Sequence, residues 1–353
     1  MSKVKEFLKR KNVIISGKRY GIDALGAMAQ GLFASLLIGT IISTIGNQLG
    51  IQLLTDIGNF ASSVKGAAMA VAIGFALGAP SLVLFSLLAV GYAADTLGGA
   101  GGPLAVYVVA VIACEFGKLI SKETKLDIIL TPLVTIGVGC LISIGCAPAI
   151  GAAASAVGGL IMWATEQQPF LMGIVVSVVV GIALTLPISS AAICAALSLT
   201  GLAGGAAVAG CCAQMIGFAV MSFRANGIGG FFAQGIGTSM LQMGNIVKKP
   251  VIWLPPIIAS AITGPLATCL FRLQMNGAAV SSGMGTCGLV GQIGVYTGWL
   301  NDIAAGAKAA ITATDWIGLI LISFILPAVL TGLLGWIFKK AGLFTDDDLK
   351  LDI

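Results

Sequence analysis

Two stretches of this chain place small polar side chains between helix-breaking residues in otherwise apolar sequence. The first, residues 184–193, contains Pro187, Ser189 and Ser190. The second, residues 235–250, carries glycine, hydroxyl and amide candidates, namely Gly235, Gly237, Thr238, Ser239, Gln242 and Asn245. Hydroxyls and amides are neutral donors and acceptors, and broken helices leave backbone N–H groups free. The two stretches therefore predict a binding site for a small, uncharged polar solute.

A purely structural interpretation stays open for the same residues. Hydroxyls in helices also bond to the carbonyls of their own helix. Residues 201–210 contain four glycines and residues 227–237 contain five, and glycine allows helices to pack closely as well as to open. Each stretch is therefore either a site element or a packing surface.

Enzymatic chemistry has little support in this sequence. The chain contains no histidine, which excludes Ser-His-Asp and Cys-His pairs, and it has no Walker A pattern. Its eight cysteines lie in apolar stretches without a C-x-x-C pattern, and we interpret them as buried, reduced thiols. We predict no catalytic residue, no cofactor and no bound metal.

Four acidic residues stand at the edges of uncharged runs: Asp95, Glu115, Glu166 and Asp315. Ionisable residues at membrane depth usually have a function, but an interfacial position would explain each of these. Glu166 lies in the most polar break in the middle of the chain, EQQP at residues 166–169. We therefore keep Glu166 as the one acidic candidate for contact with the solute.

The elements that must position these residues follow from composition. Of the 353 residues, 58% are hydrophobic and 9% are charged, whereas soluble domains carry roughly 25% charged residues. The surface must therefore face lipid, where spanning segments are helices or closed barrels. The apolar runs are continuous rather than alternating, so helices are favoured. We predict an all-α polytopic membrane protein with about eight to ten transmembrane segments.

Proline, glycine and charge divide these runs. We predict breaks at Pro80, at residues 98–103 (GGAGGP), near Pro148 and at residues 166–169. The predicted organisation has four parts, namely a basic tail at residues 1–20, a first half at residues 21–165, a second half at residues 166–338 and a tail at residues 339–353.

Charge at the two ends predicts orientation. Residues 1–20 carry one acid, Glu6, against a series of cations, namely Lys3, Lys5, Lys9, Arg10, Lys11, Lys18 and Arg19. Lys339 and Lys340 follow the last apolar run. The positive-inside rule predicts that both ends are cytoplasmic. The basic tail is short and is followed directly by the first apolar run, so we do not interpret it as a nucleic-acid-binding segment. We expect membrane lipid around the apolar runs.

The order of several short motifs resembles membrane subunit IIC of the bacterial phosphotransferase system, glucose/β-glucoside superfamily. Residues 235–250 (GIGTSMLQMGNIVKKP) are similar to the family hairpin that contains GITEP and is followed by a lysine pair and proline. Residues 126–151 resemble a span ending in a Pro-Ile-Gly signature. Residues 170–193 resemble the helix leading into the solute hairpin, and residues 209–219 (AGCCAQMIGFA) its glutamine-containing segment.

This resemblance implies an elevator-type fold in a bacterial cytoplasmic (inner) membrane. It implies a homodimer held by the first half, with a sugar carried by the second half in two re-entrant hairpins near residues 187–205 and 228–246. Phosphate would come from separate IIB and IIA proteins. The family's sugar-binding glutamate falls at Thr238 or Ser239, and its hairpin histidine falls at or next to residues 188–190, so both ligands are replaced by neutral groups.

Three hypotheses follow. The first is a IIC-like permease for a small polar solute, with a sugar as the expected class. The second is a membrane sensor or regulator that keeps the fold without turnover, since both family ligands are lost. The third is a secondary transporter coupled to an ion through Glu166 or Asp95.

Overall fold

The computed structural model describes residues 3–351, and within them every regular element is a helix. Six helical stretches of this part are long and apolar enough to cross a membrane, namely Arg19–Leu49, Ser81–Ile120, Asp127–Thr165, Gly201–Met221, Pro250–Leu270 and Ala313–Lys340. Two shorter apolar helices are Lys65–Ala76 and Pro169–Thr185. The predicted all-α polytopic membrane architecture is confirmed.

The chain forms two compact units, Met1–Ala153 and Ala154–Ile353. The helices of the first unit are α1 Lys3–Arg10, α2 Leu25–Leu32, α3 Ile38–Leu49, α4 Gln52–Ser63, α5 Lys65–Ala76, α6 Ser81–Gly98 and α7 Gly102–Ile120. Turns of π-helix at Arg19–Ala24 and Phe33–Leu37 make α2 and α3 part of one long stretch. In this unit α4 packs on α3, and α5 packs on both α2 and α6.

Two of the predicted breaks are confirmed in the first unit. Pro80 directly precedes α6, where its missing N–H removes no helical hydrogen bond. A 3-10 turn at Gly99–Gly101 separates α6 from α7, which pack against each other. The 40-residue stretch Ser81–Ile120 is therefore two helices rather than one.

The first unit buries charge. Lys118 is only 1% exposed and forms an ion pair of 2.9 Å with Glu115. Its Nζ also donates to the backbone carbonyls of Asn12 (2.9 Å) and Leu77 (3.1 Å). One buried cation thus ties the segment before α2 to α7 and to the end of α5.

The helix α8, Asp127–Thr165, is 39 residues long and contains both Pro132 and Pro148. The predicted break near Pro148 is therefore wrong. An internal proline removes a single backbone hydrogen bond, and transmembrane helices tolerate this loss. The boundary between the two units falls inside α8.

The second unit contains nine further helices: α9 Pro169–Thr185, α10 Ser190–Ala196, α11 Gly201–Met221, α12 Phe223–Phe232, α13 Met243–Lys248, α14 Leu254–Pro265, α15 Val290–Ala304, α16 Ala313–Ile320 and α17 Leu326–Lys340. Short π or 3-10 turns adjoin them at Ala233–Gly237, Ser239–Gln242, Pro250–Trp253, Leu266–Leu270, Ala279–Gly283, Cys287–Leu289, Leu321–Ile325 and Asp347–Leu349. The predicted break at residues 166–169 is confirmed as the turn before α9.

The core of the second unit is α11, which packs against α9, α14 and α17. A Cβ on Gly210 would lie 1.9 Å from the carbonyl oxygen of Ser177, so only glycine permits this approach of α11 to α9. A Cβ on Gly205 would lie 1.8 Å from the carbonyl of Leu273. The glycines of residues 201–210 therefore serve close packing.

All eight cysteines are free thiols, and five of them are buried. Cys269 is exposed, and Cys140 and Cys146 are partly exposed, so the interpretation of all eight as buried is wrong for these three. Each lies on an apolar helix or turn, where an outward side chain faces lipid in a membrane protein.

Candidate functional site

The first predicted stretch forms a break between α9 and α10. Helix α9 ends at Thr185, and Leu186 is already extended (φ −69°, ψ 157°), as expected for a residue just before proline. The Ser189 hydroxyl accepts a bond from the backbone N–H of Ala192 (3.2 Å) and so caps α10. Pro187 therefore ends one helix, and Ser189 begins the next.

The second predicted stretch is broken as well. Gly227 lies inside α12 with φ 60° and ψ −158°, values that favour glycine, so the helix is kinked there. The chain then passes through the π turn Ala233–Gly237 to Thr238, which is extended. Thr238 Oγ1 accepts a bond from the N–H of Met240 (3.1 Å) and starts the next turn. The glycines of residues 227–237 thus open the helix, unlike those of residues 201–210.

The two stretches meet through a hydroxyl pair. The Oγ1 of Thr185 lies 2.8 Å from the Oγ of Ser239, and either group can be the donor. Thr185 also lies 3.3 Å from the Oε1 of Gln214 on α11. The Nε2 of Gln214 donates to the Ser260 hydroxyl on α14 (3.3 Å), and Nε1 of Trp253 donates to Oε1 of Gln214 (2.8 Å). We call Thr185, Gln214, Ser239, Trp253 and Ser260 the central cluster.

The central cluster is buried and uncharged. Thr185, Gln214, Ser239 and Ser260 are each fully buried. Buried amides and hydroxyls require partners, and here each is the partner of another. Such groups bind a hydroxyl-bearing solute by exchanging hydrogen bonds. They do not supply a general base, because none of them titrates near neutral pH.

A third broken segment, which the sequence did not predict, lies against the first two. It runs through the turns Ala279–Gly283 and Cys287–Leu289. The Ser190 hydroxyl donates to the carbonyl of Gly283 (2.7 Å), and the Thr286 hydroxyl donates to the carbonyl of Gly235. The signal was present as glycines and serines in an uncharged run (SSGMGTCG at residues 281–288).

Two amides of the second stretch, Gln242 and Asn245, form a separate group with Gln234, Ser222 and Asn226. We call this group the end cluster. The Nε2 of Gln242 donates to Oε1 of Gln234 (2.9 Å), and Nδ2 of Asn245 donates to Oε1 of Gln242 (2.9 Å). Gln234 in turn donates to the hydroxyl of Ser222 (2.8 Å). Gln234 and Gln242 are fully buried, and Asn245 is nearly so.

The backbone that follows α17 completes the end cluster. The carbonyl of Leu349 accepts bonds from Nε2 of Gln242 (2.9 Å) and Nδ2 of Asn226 (2.9 Å). The carbonyl of Lys350 accepts a bond from Nδ2 of Asn245 (2.8 Å). Gln234 and Asn226 were not among the predicted site residues. The partners of Asn226 lie more than a hundred positions later in the chain, whereas those of Gln234 lie within twelve positions.

The predicted site residues therefore divide into four groups. Ser239 joins the central cluster, whereas Gln242 and Asn245 join the end cluster. The remaining hairpin residues, namely Ser189, Ser190, Gly235, Gly237 and Thr238, shape the broken segments through caps and backbone contacts. Glu166 lies in an exposed turn after α8 and belongs to neither cluster.

Charged side chains border the end cluster only at its edge. Lys249 forms an ion pair of 2.9 Å with Asp348, which also accepts from the backbone N–H of Thr345 (2.7 Å). The hydrogen bond from Lys249 lowers the pKa of Asp348. Among the described residues, no group of histidine, cysteine or acidic side chains is placed to hold a metal ion.

Comparison with known protein families identifies a matching model. The family model described as "Phosphotransferase system, EIIC" matches residues 22–351, which include most of each unit and both clusters. Comparisons with curated proteins and with solved structures give no match.

Proposed function

The chain belongs to the EIIC family of the phosphotransferase system, and from this premise we propose that it is a permease whose central cluster binds a small polar solute. The expected solute is a sugar or a sugar-like compound. Membership in the family makes the chain a multi-pass membrane component of this transport system. Solute class, coupling and partners are the proposed part.

One observation carries the proposal, namely the hydroxyl pair between Thr185 and Ser239 where two broken segments meet. A solute hydroxyl that enters without a partner costs about 1–3 kcal/mol, so a site must replace each bond that the solute loses from water. The central cluster offers neutral donors and acceptors in a buried setting. Opening the Thr185–Ser239 pair would free both groups for the solute.

We extend the proposal to the transport cycle. Residues 166–338 carry the solute across the membrane, while residues 21–165 hold a homodimer. Separate IIB and IIA proteins supply phosphate, since the central cluster offers hydroxyls but no base that would activate one as a phosphate carrier. The basic residues at both ends favour a cytoplasmic location for them, at the inner membrane of a bacterium.

A non-transporting sensor is the second candidate. The positions that correspond to the family's glutamate (Thr238 or Ser239) and histidine (at or next to residues 188–190) hold neutral groups here, and three of these form local structure instead. Thr238 caps a turn, Ser189 caps α10, and Ser190 bonds to the Gly283 carbonyl. A fold that keeps the hairpins but uses their polar groups internally could report on a solute without moving it.

The ion-coupled alternative has less support. Glu166 is exposed in a turn, and Asp95 forms an ion pair of 3.0 Å with Lys65. Neither carboxylate belongs to the clusters. Gradient-driven uptake of an unmodified solute would nevertheless identify this function.

The first experiment measures binding to the purified protein. Isothermal titration with a panel of hexoses, disaccharides and hexitols should identify a ligand. Ser239→Ala and Thr185→Val should then weaken its binding by about 5- to 150-fold, the range that corresponds to 1–3 kcal/mol. Ser143→Ala is the matched control, because this buried hydroxyl bonds only to Gly139 of its own helix (2.9 Å).

Equal affinity in Ser239→Ala, Ser143→Ala and the parent chain would remove the central cluster from the binding site. A measurement of uptake by intact cells then distinguishes the permease, the secondary transporter and the sensor. A phosphorylated product supports the permease, and an unmodified product taken up with an ion gradient supports the secondary transporter. Binding without uptake, together with altered gene expression on deletion, supports the sensor.

A further inference from the structure

The segment Thr345–Leu351, which follows α17, lies over the end cluster with its backbone turned toward three side-chain amides. Asn226 contacts it twice, because its Nδ2 donates to the Leu349 carbonyl (2.9 Å) and its Oδ1 accepts from the Leu351 N–H (2.8 Å). Gln242 and Asn245 donate to the carbonyls of Leu349 and Lys350. Three amides therefore bind one short stretch of backbone.

This pattern is that of a peptide-binding site. A primary amide has a donor and an acceptor side by side, so it pairs with a backbone N–H and carbonyl as a neighbouring strand would. Main-chain bonds of this kind provide affinity, while pockets for side chains provide selectivity. The side chains of Leu349 and Leu351 are buried, whereas Lys350 between them is exposed.

Charge pairs hold the edge of the same segment. Lys249 forms the ion pair with Asp348, and Lys339 pairs with Asp346. The side chains of Lys249 and Asp348 are 38% and 27% exposed, so water reaches this pair. Exposed pairs contribute little to stability, which makes the segment easier to release than an element of the core.

We propose that Asn226, Gln242 and Asn245 form a binding site for a short acidic peptide, which residues 345–351 of the same chain occupy here with a 3-10 turn at Asp347–Leu349. The segment bonds to Gln242, and Gln242 bonds to Gln234, so in this proposal the segment leaves before a solute reaches the central cluster from this end of the second unit. This gating part rests on the proposed function, whereas the peptide site does not.

The test measures how quickly a buried thiol reacts. Ser222→Cys is a near-isosteric reporter, because Ser222 is fully buried and is connected to the segment through Gln234 and Gln242. The reporter is placed in a Cys269→Ser background, since Cys269 is exposed. Labelling by a water-soluble maleimide is followed on the purified protein, and the rate of the same chain without Ser222→Cys is subtracted.

A chain that ends at Phe344 should label about tenfold faster or more, because the reactivity of a buried group follows the population of its open state. Adding the free peptide TDDDLKL (residues 345–351) should restore slow labelling in a saturable way. A scrambled peptide should not. The matched control is a chain that lacks only residues 352–353, which keeps the whole segment and should label like the parent.

A milder variant, Leu351→Pro, keeps the test decisive if the truncated chain does not fold. Proline removes the N–H that Asn226 accepts, and Lys350 already has the conformation that precedes proline (φ −67°, ψ 132°). Unchanged labelling in Leu351→Pro, or in a folded truncated chain, would overturn the proposal. So would failure of the peptide to protect the truncated chain.

Titration with the identified sugar distinguishes failure of the gate from failure of the proposed function. Higher affinity for the identified sugar in the truncated chain supports the gate. Equal affinity in truncated and parent chains overturns the gate and leaves the proposed function standing. If no sugar binds any variant, the proposed function fails, but thiol labelling still decides the peptide site.

Discussion

Among the described residues, the buried side chains of the first unit include a cation, whereas those of the second unit are uncharged. The first unit buries the cation Lys118 beside Glu115 and two backbone carbonyls. The second unit buries neutral amides and hydroxyls, which pair mainly with one another or with the segment after α17. A buried charge must keep its partners, because losing one leaves an uncompensated charge. A neutral group can change partners at a lower cost.

From this difference we expect the second unit to change its hydrogen-bond partners more easily than the first. Lys118 connects the segment before α2 to α5 and α7. Breaking these bonds would leave its buried charge without partners. The central and end clusters are held by bonds that a solute or a peptide can replace. Neutral polar clusters at broken helices are therefore the better place to look for binding, and the variants below test this contrast.

The largest expected effect is that of Lys118→Leu. It leaves the Glu115 carboxylate, whose side chain is 14% exposed, without its cation, so we expect a loss of up to about 3–5 kcal/mol in unfolding free energy. Thermal unfolding in detergent measures this. The exposed Lys125→Leu is the control and should change little. Lys118→Leu combined with Glu115→Leu should recover part of the loss, and no recovery would contradict the role of charge.

A smaller effect is expected for Gln214→Leu in the central cluster. It removes the acceptor of the Trp253 N–H and the donor to Ser260, which should cost about 1–3 kcal/mol. Gln292→Leu is the matched control, because Oε1 of Gln292 is buried without a hydrogen-bond partner in the described structure. If Gln214→Leu destabilises the protein no more than Gln292→Leu, the central cluster is not a connected network.

The ion pair between Lys249 and Asp348 should have a still smaller effect, of about 0.2–1 kcal/mol for an exposed pair. The pKa of Asp348 is lowered from its ordinary value of 3.8. Its contribution is therefore fully present above that value and is lost as the pH falls through the lowered pKa. Thermal unfolding should therefore show a small loss of stability in acid. In Asp348→Asn this acid-dependent step should disappear, and its persistence would assign the effect to another group.

The smallest effect is expected for Ser143→Ala, at less than about 0.5 kcal/mol. Its hydroxyl bonds only to the carbonyl of Gly139 in the same helix. The hydroxyl of Ser177 instead donates to the Ser260 carbonyl across two helices (2.7 Å), so Ser177→Ala should cost more. Equal stability of the two variants would show that the contacts across helices add nothing.

The helical fold could be predicted because lipid leaves few options for the backbone. Uncharged runs gave the helices, and Pro80, the glycines of residues 98–103 and the polar residues 166–169 marked true breaks. Pro148 led to a wrong prediction of a break. A proline inside a transmembrane helix removes one backbone hydrogen bond, and the helix tolerates this loss. The break at residues 277–289 was missed since no charge or proline marks it.

The candidate site was predictable only in part. Proline and glycine revealed where helices break, so Ser239, Gln242 and Asn245 were found from local sequence. Their partners are set by packing between distant segments, which no local pattern encodes. Asn226, for example, bonds to residues more than a hundred positions later in the chain. Whether the predicted residues bind a solute is decided by the titrations described above.

The hydroxyl pair at Thr185 and Ser239 has no fixed polarity. Either oxygen can carry the bridging hydrogen, so rotation of two O–H bonds reverses the pair without moving a heavy atom. The Gln214 amide beside it has its oxygen and nitrogen at fixed ends and thus sets one direction. A vicinal diol could therefore meet the pair with its two hydroxyls in either order, and only the amide would distinguish one face of the molecule from the other.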